Sequence, residues 1–299
     1  MFDYTNFEEA SWLRWAAEDK SQAKVCIMGI PFDNAVSLNK GAAKAPERIR
    51  SLSVDLSDTT EDFKEIKEGI LYDFGDLHFQ LDWESYFSQV EESALTVMET
   101  GAFPLFIGGD HSVTIPLQKA FARHNQGKKI GIIHFDAHYD LCPSYDEHKW
   151  SHACTEARAL EDVCGGGDLC FVGIRVAEIQ ELELMKQHPG ITTYRAVDVY
   201  EKGAVKVAKE LIRKYTDYDG IYLTLDIDVL DPAFAPGTGT PVAGGLSSRE
   251  LIEIFKRLIR QAPVKAMDLV EVAPPLDVND VTSWAALRII HEVLAKASE

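Results

Sequence analysis

The stretch KIGIIHFDAHYD, residues 129–140, begins as a continuously apolar run and ends with three ionisable residues in five positions. The same organisation recurs at VCIMGIP (25–31), ILYDFGD (70–76), PLFIGGD (104–110), LCFVGIR (169–175), GIYLTLDID (220–228) and VKAMDLVE (264–271), with ITTYR (191–195) as a further candidate. Runs that are apolar throughout, rather than alternating, are the pattern of parallel strands covered by helices on both faces. Amphipathic stretches lie between them. The spacing predicts helices over 83–99 behind Asp82 as N-cap, 203–215, 248–260 behind Ser247, and 280–297 with Trp284, Leu287, Ile290 and Leu294 on one side. Strand and helix signals that alternate in this way predict one doubly wound α/β domain spanning residues 1–299, with a mostly parallel sheet. Ligands of such sheets bind beyond the carboxyl ends of the strands.

Composition narrows the function classes. The 299 residues carry 48 acidic against 30 basic side chains, a formal charge of -18. That balance argues against nucleic-acid and anionic-membrane partners and favours a cationic one. No apolar run approaches the ~18 residues of a membrane span, and MFDYTNFEEASWLRWAAEDK lacks the pattern of a signal peptide. Cys26, Cys142, Cys154, Cys164 and Cys170 are odd in number and form no C-x-x-C pair, as expected of reduced thiols in a cytoplasmic protein.

The strand ends concentrate metal-ligand types. Asp110 and His111 follow PLFIGG; Asp136, His138 and Asp140 follow KIGIIHF; Asp226, Asp228 and Asp231 follow GIYLTL; Glu271 ends VKAMDLVE. Residues two apart in an extended segment share a side, so Asp136, His138 and Asp140 can converge with Asp226 and Asp228. Carboxylates crowded at a buried sheet edge need cations or protons to balance them. The four charges of Asp136, Asp140, Asp226 and Asp228 match two divalent ions, with His111 and His138 completing six ligands. Oxygen donors with two imidazoles suit manganese, with nickel, cobalt and iron as alternatives. Asp231, before Pro232, is expected to serve a turn.

The motifs GGDHS (108–112), DAHYD (136–140), DIDVLDP (226–232), GTGTPVAGGL (237–246) and VEVAPP (270–275) resemble those of the ureohydrolases, the family of arginases and agmatinases. The resemblance runs from GIPFD (29–33) and GAAKAPERIR (41–50) almost to the C-terminus. It implies a three-layer α/β/α fold, two Mn(2+) per subunit, and a homotrimer or homohexamer. It also implies that His111, Asp136, Asp140 and Asp226 hold one ion, and Asp136, His138, Asp226 and Asp228 the other. Glu271 matches the glutamate that pairs with the substrate guanidinium, and His152 the proton-shuttling histidine. The implied reaction is attack of a metal-bridging hydroxide on a guanidinium carbon, yielding urea and an amine. Asp140 would take the hydroxide proton, and His152 would protonate the leaving amine.

The substrate is less directly written. LCPSYDEHKWSH (141–152) lacks the Asn and Ser/Thr-rich loop by which arginases hold an amino-acid head group. Asp146, with Glu147, is the candidate for a second cationic amine. GIPFD and GTGTP resemble agmatinase motifs, whereas His152-Ala153-Cys154 departs from the usual His-Gly. Agmatine, giving putrescine and urea, is the expected substrate. Guanidinobutyrate, guanidinopropionate, guanidine and formiminoglutamate are the alternatives. A catalytically silent scaffold subunit is a reading from another class, opposed by the intact ligand set and Glu271. A dinucleotide enzyme is disfavoured because no G-x-G-x-x-G follows the first strand.

Overall fold

A computed structural model describes residues 4–5 and 11–299. Residues 1–3 and 6–10, part of the segment read for a signal peptide, lie outside the described residues. The strands are β1 (Tyr4–Thr5), β2 (Val25–Ile30), β3 (Leu71–Leu77), β4 (Phe103–Gly108), β5 (Ile130–Phe135), β6 (Leu169–Ile174), β7 (Thr192–Arg195), β8 (Gly220–Asp226) and β9 (Val264–Val270). The helices are α1 (Ala45–Leu52), α2 (Trp83–Met98), α3 (Thr114–His124), α4 (Thr155–Asp162), α5 (Ile179–Gln187), α6 (Ala196–Lys202), α7 (Ala204–Lys214), α8 (Ser248–Gln261) and α9 (Val281–Ala297). One sheet runs β1-β3-β2-β4-β9-β8-β5-β6-β7. Its pairings are parallel except at β1, which pairs antiparallel with β3 at one edge.

The apolar runs are explained by what covers them. Val25 and Ile27 of β2, Leu105 and Ile107 of β4, and Ile221, Leu223 and Leu225 of β8 pack with α1, α7, α8 and α9. Cys26, Met28, Phe106 and Tyr222, the alternate residues, pack with α2 and α3. Every residue of β2, β6 and β8 is buried, and β4 and β5 are buried past their first residue, so no polar alternation survives there. The result is a three-layer α/β/α arrangement, as expected from the sequence.

Helix starts follow the predicted caps. The Ser85 N–H donates to Asp82 Oδ2 at 2.9 Å, and Ser247 and Glu250 cap α8 reciprocally, with the Ser247 N–H donating to Oε2 at 2.8 Å. In α9, Leu287, Ile290 and Leu294 are fully buried, each contributing about 1.5–3 kcal/mol over an exposed position. Trp284 departs from that row. It remains 37% exposed, because the first turn of α9 overhangs a surface groove shared with Phe234 and Leu251. Asp231 serves the turn expected of it: its carboxylate accepts the N–H groups of Ala233 and Gly244 at 2.9 and 2.7 Å.

Candidate metal centre and active site

Four neighbouring central strands, β4, β9, β8 and β5, deliver the predicted residues to one end of the sheet. Asp110 caps the short turn after β4, accepting the Ser112 N–H at 3.0 Å and the Ala35 N–H at 2.8 Å. This turn swings His111 inward. Gly109 is required beside it, since a Cβ there would stand 1.8 Å from the Phe32 carbonyl oxygen. Asp140 and Glu271 adopt left-handed backbone, with φ of 53° and 61°. Strain of this kind in non-glycine residues collects at functional sites.

All six predicted ligands meet. His111 Nδ1 lies 3.0 Å from Asp136 Oδ2, 3.0 Å from Asp140 Oδ2 and 3.3 Å from Asp226 Oδ2. His138 Nδ1 lies 3.2 Å from Asp136 Oδ1 and 3.1 Å from Asp228 Oδ2. Two groups of ligand atoms emerge, His111, His134, Asp136 and Asp140 in one and Asp136, His138 and Asp228 in the other, each within 4.8 Å. Asp136 belongs to both. His134 was not among the predicted residues; its place two positions before Asp136 was the available signal.

The donor chemistry fits a pair of divalent cations. Asp268, wholly buried, accepts hydroxyl hydrogen bonds from Thr114, Tyr222 and Thr224 at 2.8, 2.8 and 2.7 Å. With its proton given to Asp268, Thr224 can only accept from His111 Nε2, 2.8 Å away. That fixes the proton of a neutral His111 on Nε2 and leaves the Nδ1 lone pair aimed at three carboxylates. His111 Nδ1 and Asp136 Oδ2 are accordingly buried with no hydrogen-bond partner among the described residues. Lone pairs that converge in a dry space call for a cation between them. Titration behaviour reports the same crowding. Burial, then the charges of Asp228 and Asp136, push Asp226 well above the usual carboxylate range. Burial draws the His138 pKa down, but Asp228 and Asp136 outweigh it and push it up to about 12.

Glu271 and His152 stand over this cluster. Glu271 Oε1 accepts the His111 N–H at 2.9 Å and lies 3.2 Å from His152 Nδ1. Its Oε2 takes no hydrogen bond among the described residues and faces Gly239, where a Cβ would stand 3.6 Å away. The Ser37 N–H points at His152 Nε2 from 3.0 Å, so that nitrogen accepts and Nδ1–H donates to Glu271. Burial disfavours a charged His152 ring, yet the Glu271 carboxylate outweighs it and lifts the pKa to about 9. These two tendencies disagree. The Ser37 N–H favours the neutral ring, while the Ser37 hydroxyl, 2.9 Å from the same nitrogen, can accept from Nε2 when the ring takes a second proton.

A cavity of about 180 Å³ opens onto the cluster. Its lining includes His138, Asp140, Asp226, His152, Tyr145 and Glu178, with no Lys or Arg among the described residues. Asp146 lies elsewhere. Tyr145 and His148 bond backbone to backbone at 2.9 and 2.8 Å, and Asp146 and Glu147 form the left-handed tip of that hairpin, both exposed. The tight turn carries Asp146 outward, so that it does not line this cavity as the sequence led one to expect. Glu178, exposed at the cavity rim just before α5, is the acid found there instead. Its segment gave no metal-like spacing and so was missed. Glu181 also lines the cavity, but its carboxylate is occupied by the N–H groups of Leu141 and Glu178 at 2.9 and 2.7 Å.

The Arginase family model matches residues 23–295. The chain is 35% identical over 276 residues to an agmatinase of Bacillus anthracis, covering 91% of each. Among solved structures it is similar to the agmatine ureohydrolase of Thermoplasma volcanium, with a TM-score of 0.87, 30% identity and coverage of 97% of this chain and 95% of that one. It is also similar to the formimidoylglutamase of Bacillus subtilis, with a TM-score of 0.88, 27% identity and coverage of 98% and 94%.

Proposed function

From the premise that this chain belongs to the arginase family, we propose that it hydrolyses agmatine to putrescine and urea at a binuclear metal centre. One observation carries the choice of substrate: apart from the proposed metal ligands and the occupied Glu181, the acid of the cavity lining is Glu178, and no Lys or Arg stands there among the described residues to receive a carboxylate. Arginine, guanidinobutyrate and formiminoglutamate each bring a carboxylate that such a cavity would repel. Agmatine is a dication with a guanidinium at one end and an ammonium at the other. The agmatinase relatives support the same reading.

His111, Asp136, Asp140 and Asp226 would hold one ion and Asp136, His138, Asp226 and Asp228 the other, with manganese the ion proposed. Two bound divalent cations supply the charge that balances the carboxylates and lowers the pKa of water at the site. Glu271 Oε2 binds the planar guanidinium by a charge-assisted pair and holds its carbon over the cluster. Anchoring of Oε1 by the His111 N–H leaves Oε2 as the oxygen turned to substrate. Asp140 accepts the proton of the attacking water. His152, bonded to the same glutamate, carries a proton to the leaving amine, which departs as a neutral group only once protonated. Glu178 at the rim receives the distal ammonium. The chain acts as a single catalytic domain in this reading.

A urea-release panel over agmatine, arginine, guanidinobutyrate, guanidinopropionate and guanidine, with manganese, nickel or cobalt added, tests the proposal. Agmatine should give the highest kcat/KM. A higher value for a carboxylate-bearing substrate would overturn the assignment.

A further inference from the structure

Behind the ligand cluster lies a second, wholly buried polar group that the roles above do not use. His134 stands two residues before Asp136 and shares its side of the chain. Its ring stacks on that of His111 at 4.8 Å and 10°, with Phe171 edge-on at 5.1 Å. Glu156, on α4, places Oε1 3.0 Å from His134 Nδ1, and Gln118, on α3, donates to the same oxygen from Nε2 at 2.8 Å. His134 and Glu156 are both 0% exposed and Gln118 is 1% exposed. Across the imidazole, Nε2 lies 3.1 Å from Asp136 Oδ2. The backbone of the same glutamate reaches the cluster as well, its N–H donating to the Asp140 carbonyl at 2.9 Å.

A buried carboxylate beside a buried imidazole seldom improves stability, because desolvation offsets the attraction. Here Glu156 Oε2 and Gln118 Oε1 are left without hydrogen-bond partners among the described residues, which adds to the cost. An apolar residue at position 156 would pack between α3 and β5 without that cost. What the glutamate does achieve is orientation. A carboxylate oxygen only accepts, so it fixes the ring hydrogen of a neutral His134 on Nδ1 and leaves the Nε2 lone pair facing the cluster, where Nε2 and Asp136 Oδ2 have no hydrogen-bond partner among the described residues. With His111, Asp136 and Asp140, His134 makes up one of the two groups of ligand atoms, and Asp136 belongs to both.

We propose that Glu156 is a positioning residue that holds the His134 Nε2 lone pair toward the metal pair beside Asp136. The proposal rests on the reading that the cluster holds two divalent ions. Calorimetric titration of Mn(2+) into chelator-treated protein, with melting of the metal-free form, tests both. Wild type should take up two ions. Glu156→Leu should weaken at least one of them by about 10–100-fold, the usual effect of losing an outer hydrogen-bond partner. Its metal-free form should melt no lower than wild type. Glu156→Gln keeps an acceptor for Nδ1–H and should stay within about threefold of wild type in affinity.

Unchanged affinity in Glu156→Leu, or affinity and metal-free melting that fall together, would overturn the positioning role. Should Glu156→Leu not fold, His134→Phe carries the test. It should weaken binding as Glu156→Leu does, and Glu156→Gln added to it should change nothing further. Full affinity in His134→Phe, or further weakening in the double variant, would refute the relay. A wild-type protein that takes up no divalent ion would overturn the metal reading itself, and this proposal with it.

Discussion

Replacing Glu271 by glutamine separates substrate recognition from metal binding. Oε1 faces two donors, the His111 N–H at 2.9 Å and His152 Nδ1 at 3.2 Å. The amide oxygen of a glutamine must take that place. Its NH2 then occupies the Oε2 position and meets the N–H groups of the guanidinium, donor against donor. A charge-assisted hydrogen bond, about 1.5–3 kcal/mol, is lost, and the desolvated cation is left without its partner. Together these cost about 3–5 kcal/mol, within the range for truncating one side of a buried charge pair. At about 1.4 kcal/mol per decade, kcat/KM for agmatine should fall roughly a hundred- to several-thousand-fold. Initial rates of urea release measure this, with metal content determined on the same samples. Metal content should match wild type, because Glu271 is none of the proposed ligands and its Oε1 is held by the His111 N–H. A kcat/KM within about tenfold of wild type would refute the role, as would a loss that merely follows metal loss.

Asp136→Asn removes a carboxylate from both groups of ligand atoms. Metal affinity should fall by at least about 100-fold, taking the loss of an outer partner as a lower bound, and dialysed protein should retain less than the wild-type metal content. At the rim, Glu178→Gln should raise KM for agmatine about two- to fivefold with kcat little changed, the modest value of a solvent-screened charge; steady-state kinetics check this. His291 gives a stability prediction far from the site. Its Nδ1 accepts from Arg288 Nη1 at 3.0 Å and its Nε2–H donates to the Ser57 carbonyl at 2.8 Å, so the folded protein holds it neutral. Burial depresses its pKa below the ordinary value of about 6.5. The associated stability is complete above that value and declines as the pH falls below it, by at most about 1.4 kcal/mol per pH unit. Denaturant unfolding should therefore lose less stability between about pH 7 and pH 5.5 in His291→Gln than in wild type. Equal slopes would contradict the neutral assignment.

The sheet was legible because parallel strands covered on both faces leave unbroken apolar runs, and each long run became a strand within a residue or two. The candidate metal ligands were legible for a related reason. Strand ends project residues at spacing two, and no apolar packing accounts for so many acids there. Legibility failed where tertiary context acts alone. Helix α4 is too short to show a period, so nothing in TEARALED marked Glu156 as facing the core. His134 sits inside the apolar run and passes for part of it. Asp146 was expected beside the substrate amine, but the two-residue turn that carries it outward, away from the cavity lining, is not written in local composition. Glu178 sits in EIQELE, which reads as an ordinary charged helix start. Its place at the cavity rim depends on how that segment packs beside the 141–152 loop, a long-range matter that local patterning does not encode.

The most direct test follows the guanidino carbon. Metal-loaded protein is incubated with agmatine isotopically labelled at that carbon, and the products are resolved by NMR. The predicted result is label in urea with putrescine formed in equal amount, abolished by chelation and restored by manganese. Label retained in N-carbamoylputrescine with release of ammonia, or labelled agmatine left intact by fully loaded protein, would contradict it.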